Sequence, residues 1–115
     1  MASRQIVELA SKKCARCEGI DPISPQAAEN VLKDLPGWAL STGSIEKEFR
    51  FKSYSEGLEF AYAIGMTADA ENHHPEMLVR WRRVSLVWST HSINGLSQND
   101  FIMAAKCELE YERGR

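Results

Sequence analysis

Ser53-Tyr54-Ser55-Glu56 constrains the fold most, because it fixes where a long helix begins. A serine at an N-cap accepts a hydrogen bond from a backbone N–H with no partner inside the helix, and a glutamate three residues on reaches back. The helix so opened is predicted to run to about Asp69 or Glu71. Strand-like patterns flank it on both sides. Ahead of it come Trp38-Ala39-Leu40, a turn over Ser41 to Ser44 with Gly43, and Ile45 to Phe51. In that last run Ile45, Lys47, Phe49 and Phe51 alternate with Glu46, Glu48 and Arg50, a period of two that only Lys47 disturbs. Behind the helix come Met77 to Trp81 and Val84 to Thr90, with Val84, Leu86 and Trp88 on one face. The turn between these strands is expected at Arg82-Arg83, although tight hairpins favour Asn-Gly or Asp-Gly.

Two further helices complete the pattern. Ser24-Pro25 opens one that carries Ala28, Val31, Leu32 and Leu35 and is stopped by Pro36-Gly37. Ser97-Gln98-Asn99-Asp100 has the form of a second capping box, opening a helix to about Glu112 with Phe101, Ala104, Ala105 and Leu109 inward. Within the long helix Leu58, Ala61, Tyr62 and Gly65 form the expected core stripe. Phe60, Ile64 and Met66 lie off it, which suggests a second packing surface, against another subunit. Residues 1–23 read as a less certain lead, with Ile6, Val7, Leu9 and Ala10 on one helical face before Gly19, Asp21 and Pro22 break it. The tail Arg113-Gly114-Arg115 is expected to fray. The order predicts an α+β two-layer sandwich: a four-stranded antiparallel sheet with about three helices on one face. The whole chain, 1–115, is expected to be one domain.

Bulk properties narrow the function. A net charge of −2 gives no general pull toward nucleic acid or anionic membrane. No apolar run approaches membrane-spanning length, and the first residues lack an apolar signal core. Three cysteines, an odd number, argue for a reducing compartment, so the cytoplasm is expected. Cys14-Ala15-Arg16-Cys17 has redox or zinc spacing. Without a second such pair or a preceding strand, reduced surface thiols fit better than a labile disulfide or a metal.

The chain has three histidines, and two of them are adjacent in Asn72-His73-His74-Pro75. Side chains of adjacent residues diverge, so one can face a pocket while the other positions or binds. Two ordinary polar residues would fit the pair equally well. His91 falls at the end of the strand Val84–Thr90, as a site residue or a solvated strand-end histidine. Asp100 is open to two readings, as a group beside a histidine or as the helix cap reaching back to Ser97. Asp69, four residues before His73, could orient its ring if the helix continues that far. The spacing that puts two histidines on one helix face is absent, so acid–base chemistry is favoured over metal binding.

The run Asp69-xxx-His73-His74-Pro75-x5-Trp81-x9-His91-x8-Asp100 resembles the signature of pterin-4a-carbinolamine dehydratase. Pro36-Gly37-Trp38, Ser89-Thr90-His91 and Gly95-Leu96-Ser97 agree with it, and the Cys14 to Gly19 lead is similar to many microbial members. The resemblance implies dehydration of a 4a-hydroxytetrahydropterin to quinonoid dihydropterin, in support of aromatic amino acid hydroxylation. The pterin is then the substrate, with no cofactor or metal. It implies that His73 and His91 are the acid/base pair and that His74 holds and polarises the ring. Pro75 would fix the loop, Asn72 and Thr90 would line the pocket, and Asp100 would orient a histidine or contact the pterin. Asp69 and Trp81 would support the site. The family also implies a homodimer or homotetramer, with sheets joined edge to edge and the long helix as a second interface. The alternative is a non-enzymatic binding module acting as a dimerization cofactor. Many members carry an acid in place of Asn72 and an arginine in place of Asn99.

Overall fold

The computed structural model describes residues 2–113. Four helices and four strands follow in the order α1 (Arg4–Ala10), α2 (Pro25–Leu32), β1 (Ala39–Ser41), β2 (Ser44–Arg50), α3 (Tyr54–Glu71), β3 (Glu76–Arg80), β4 (Arg83–Trp88) and α4 (Gln98–Glu112). A short 3-10 turn, His91–Ile93, links β4 to α4. The sheet is antiparallel throughout with strand order β1-β2-β4-β3. The two hairpins therefore join through β2 and β4, and α3 is the connection that carries the chain across. Among the described residues, no helix is long and apolar enough to cross a membrane.

Alternation decides which face of the sheet is dry. Ile45, Phe49, Val84, Leu86 and Trp88 are all buried, and α3 and α4 pack on β4. Lys47 shares that inner face, opposite Leu86. Its ammonium is neutralised there by Glu108 of α4 at 2.7 Å and also donates to the Pro36 carbonyl at 3.0 Å. Glu108 accepts a further bond from the Trp38 indole N–H at 2.9 Å. Replacing Glu108 with Ala strands a mostly buried cation and an indole N–H. It should lower stability by roughly 2–3 kcal/mol, seen as a lower urea midpoint at unchanged slope.

Several sequence expectations change in detail. The lead contains a fourth helix, α1, which packs on α4 through buried Ile6 and Ala10. Val7 faces solvent, and the helix ends at Ala10, well ahead of Gly19. α2 closes at Leu32, and Leu35 is buried from the turn that follows. Glu56 does reach back, but its carboxylate takes the N–H of Lys52 at 3.0 Å rather than that of Ser53. On α3 the buried track is Gly57, Phe60, Ala61, Ile64 and Ala68, not the stripe through Leu58 and Tyr62. The reason is bulk and closeness together. Phe60 enters an aromatic cluster with Phe49, Phe51 and Tyr111, while Gly57 lets the helix approach Val84 and Phe51. Tyr54, Leu58, Tyr62 and Met66 are left as an exposed row at four-residue spacing.

The β3–β4 turn is Trp81-Arg82, because the inward pair Val79–Val84 sets the register and Arg80 faces Arg83. Arg82 takes a left-handed conformation, φ 63°, which costs a residue with a Cβ about 1–2 kcal/mol. Two bonds to the Phe51 backbone hold it there, its own carbonyl accepting at 2.9 Å and its Nε donating at 3.3 Å. Of the tail, Gly114 and Arg115 lie outside the described residues.

Candidate active site

The site forms where α3 ends, β4 ends and α4 begins. Asn72 closes α3 in the left-handed region, φ 53° and ψ 41°. The following N–H, of His73, bonds back to the Ala68 carbonyl at 3.1 Å. This is the reversal that usually recruits glycine, and asparagine and aspartate are the other residues that adopt it readily. Asn72 therefore has a backbone reason to stand before the histidines. Of the acids that the family resemblance expects here, aspartate also visits this conformation.

The reversal separates the two histidines. His73 turns inward, its ring stacked on Trp88 with centroids 5.7 Å apart and planes 9° from parallel. Its Nε2 lies 2.6 Å from Oδ1 of Asp100. His74 turns outward, and its Nε2 meets Asp69 at 2.8 Å with both side chains more than half exposed. Asp69 thus orients His74 and not His73, because the helix stops at Glu71 and the chain swings away. Pro75 follows and leads into β3.

Asp100 has both of the functions open to it. It is the third residue of α4, completely buried, and its Oδ2 accepts the Ser97 N–H at 3.0 Å as the return half of the capping box. The same oxygen accepts the Thr90 hydroxyl at 2.8 Å, and Thr90 in turn meets the Ser97 hydroxyl at 2.7 Å. Asp100 Oδ2 thus takes both of its bonds as an acceptor. An ionised carboxylate can only accept, so the hydrogen between Asp100 and His73 sits on Nε2 of the ring. In neutral His73 the remaining nitrogen, Nδ1, then carries a lone pair. In the imidazolium it carries a proton to give.

His73, Asn72 and Thr90 share the lining of a cavity of about 530 Å³. His91 begins the 3-10 turn after Thr90 and is exposed, and both of its sequence neighbours, Thr90 and Ser92, line the cavity. Trp81 lies elsewhere. It is 70 % exposed at the tip of the β3–β4 hairpin, under the Arg82 guanidinium, with the length of β3 between it and Pro75. Among the described residues, no three His, Cys, Asp or Glu side chains converge as a metal site requires.

Three features of the site escape sequence reading. Trp88 supplies the flat support for His73, foreshadowed only by its inward parity on β4. Asn99 and Glu71 build a wall from the N-terminal lead. Glu71 accepts the Cys14 N–H at 2.7 Å, and Asn99 brackets Ala15, accepting from its N–H at 2.9 Å and donating to its carbonyl at 2.7 Å. Cys14 and Cys17 are half-buried in this wall rather than at the surface. Burial, with the Glu71 carboxylate next, pushes the Cys14 thiol up to about 12.

Residues 21–109 match the family model for pterin 4 alpha carbinolamine dehydratase. A candidate pterin-4-alpha-carbinolamine dehydratase of Nitrosomonas eutropha is 42% identical, covering 90% of this chain and 94% of that one. Another from Dechloromonas aromatica is 43% identical over 87% of this chain and 90% of its own. The crystal structure of a transcriptional coactivator/pterin dehydratase from Brucella melitensis superposes with a TM-score of 0.76 at 28% identity. That match covers 79% of this chain and 99% of the Brucella chain. By fold, matched span and relatives alike, the chain belongs to the pterin-4a-carbinolamine dehydratase family of hydro-lyases.

Proposed function

We propose that the protein removes water from a 4a-hydroxytetrahydropterin by histidine acid–base catalysis, with His73 as the principal proton carrier. The observation that supports this most is the 2.6 Å contact between His73 and a carboxylate with no solvent exposure. Dehydration needs a proton delivered to the departing 4a-hydroxyl and a proton taken from N5, so the net proton count does not change. His73 Nδ1 serves one of these transfers and His91, beside Thr90, the other. His74, steadied by Asp69, binds the pterin ring. Imidazole suits both transfers because its unperturbed pKa lies near working pH. The product is quinonoid dihydropterin, returned to the tetrahydropterin pool used by an aromatic amino acid hydroxylase. The test is a direct one. Purified protein added to enzymatically generated carbinolamine should speed its decay well above the buffer rate, and a decay equal to buffer would overturn the proposal.

The exposed row Tyr54, Leu58, Tyr62 and Met66 on α3 favours an assembly of two or four copies, in addition to catalysis. Tyr62, 71 % exposed, is the natural probe. Tyr62→Glu should shift the sedimentation coefficient toward a smaller species while leaving the fold intact. A wild type that already sediments as a monomer at high micromolar concentration would exclude the assembly.

A further inference from the structure

We propose that residues 14–18 are a substrate-contacting strap, and that Asn99 is the positioning residue that holds it over the candidate site. The inference rests on the reading of His73 and its cavity as a pterin site. The strap lies ahead of residues 21–109, the span matched by the family model, yet it lines the same cavity as His73 and Thr90. Its attachment is specific. Asn99 is 5 % exposed and spends its amide entirely on the strap. Oδ1 accepts from the Ala15 N–H, and Nδ2 donates to the Ala15 carbonyl and, at 2.9 Å, to the Cys17 sulfur. Only a side chain offering both acceptor and donors can bracket one residue's N–H and carbonyl together. A guanidinium, which donates only, could not.

The strap is also tied on either side. Lys106 donates to the Ala10 carbonyl at 2.7 Å, Glu71 holds the Cys14 N–H, and the Ile23 N–H donates to Leu96 at 2.8 Å. Asn99 precedes Asp100 directly, so the residue that fixes the wall and the residue that fixes the His73 ring sit on the same helix turn. The wall and the proton carrier are thereby set at a fixed separation. A polar bicyclic ring lying beside His73 would share the cavity with residues 14–18 of the strap, Arg16 and Glu18 among them.

A wall that binds the substrate equally before and during reaction changes KM and leaves kcat alone. Asn99→Ala removes three hydrogen bonds and should raise KM roughly tenfold with kcat within about threefold of wild type. Cys17→Ala should raise KM less, and Cys17→Ser, which restores an acceptor for Nδ2, should recover it. An unchanged KM in Asn99→Ala, or a fall in kcat alone, would overturn the strap's role. A binding readout separates this from the activity proposal. With 7,8-dihydrobiopterin bound, iodoacetamide labelling of Cys17, followed by mass spectrometry, should slow at least about fivefold, as expected for a half-buried thiol under a ligand. Labelling at the same rate with and without the pterin would refute contact, whether or not the wild type turns over carbinolamine.

Discussion

Replacing His73 with Ala should slow carbinolamine dehydration by about 10²–10⁴-fold, the usual contribution of a positioned acid–base group. The expectation depends on the fold surviving the change, and the contacts indicate that it does. Asp100 loses one partner but keeps the Thr90 hydroxyl and the Ser97 N–H, and Trp88 loses a stacked neighbour at the edge of the core. The destabilisation should stay near 1–3 kcal/mol, within the reserve of a chain this size. Activity measured well below the melting temperature therefore reports chemistry. His91→Ala is the matched comparison. A comparable loss assigns it the second proton transfer, and an unchanged rate would leave His73 to make both transfers in turn. Wild-type activity in His73→Ala would end the assignment of His73.

Most of the scaffold was legible because period and caps agree locally. Ser24, Ser53 and Ser97 each cap the helix they were expected to open, and the inward row Val84, Leu86, Trp88 is wholly buried. What failed to read depends on contacts far apart in the chain. Nothing near Lys47 announces Glu108, which turns an apparent flaw in β2 into an internal ion pair. On α3 both apolar rows have helical spacing, and only the aromatic partners of Phe60 decide which is inside. The histidine pair was ambiguous for the same reason. Sequence distance linked Asp69 to His73, but a single left-handed residue, Asn72, hands Asp69 to His74 and sends His73 to Asp100. The strap shows the limit most clearly. Its two cysteines drew attention as a motif, while the residue that builds them into the cavity is an asparagine more than eighty positions away.

Asp100 should separate scaffold from chemistry. Asp100→Ala deletes the capping carboxylate, strands the Ser97 N–H, leaves the Thr90 hydroxyl only its Ser97 partner, and leaves Nε2 of His73 without an acceptor. With the side chain fully buried, the cost should be roughly 3–4 kcal/mol, read as a large drop in the urea midpoint. Loss of activity in that variant would say little by itself. Asp100→Asn is the sharper change. The amide oxygen can keep the two bonds now made by Oδ2, from Thr90 and from Ser97. That places the amide NH₂ against Nε2, which must then accept. The ring proton is driven to Nδ1, the atom assigned to proton transfer, and neutral His73 can no longer act there as a base. A buried Asp→Asn change beside the catalytic histidine of serine proteases costs about 10⁴-fold by this route. A loss of about 10²–10⁴-fold in kcat is expected here, with stability reduced far less than in Asp100→Ala. If Asp100→Asn instead turned over carbinolamine like the wild type, the tautomer of His73 would not matter. The proton would then have to move through a different group.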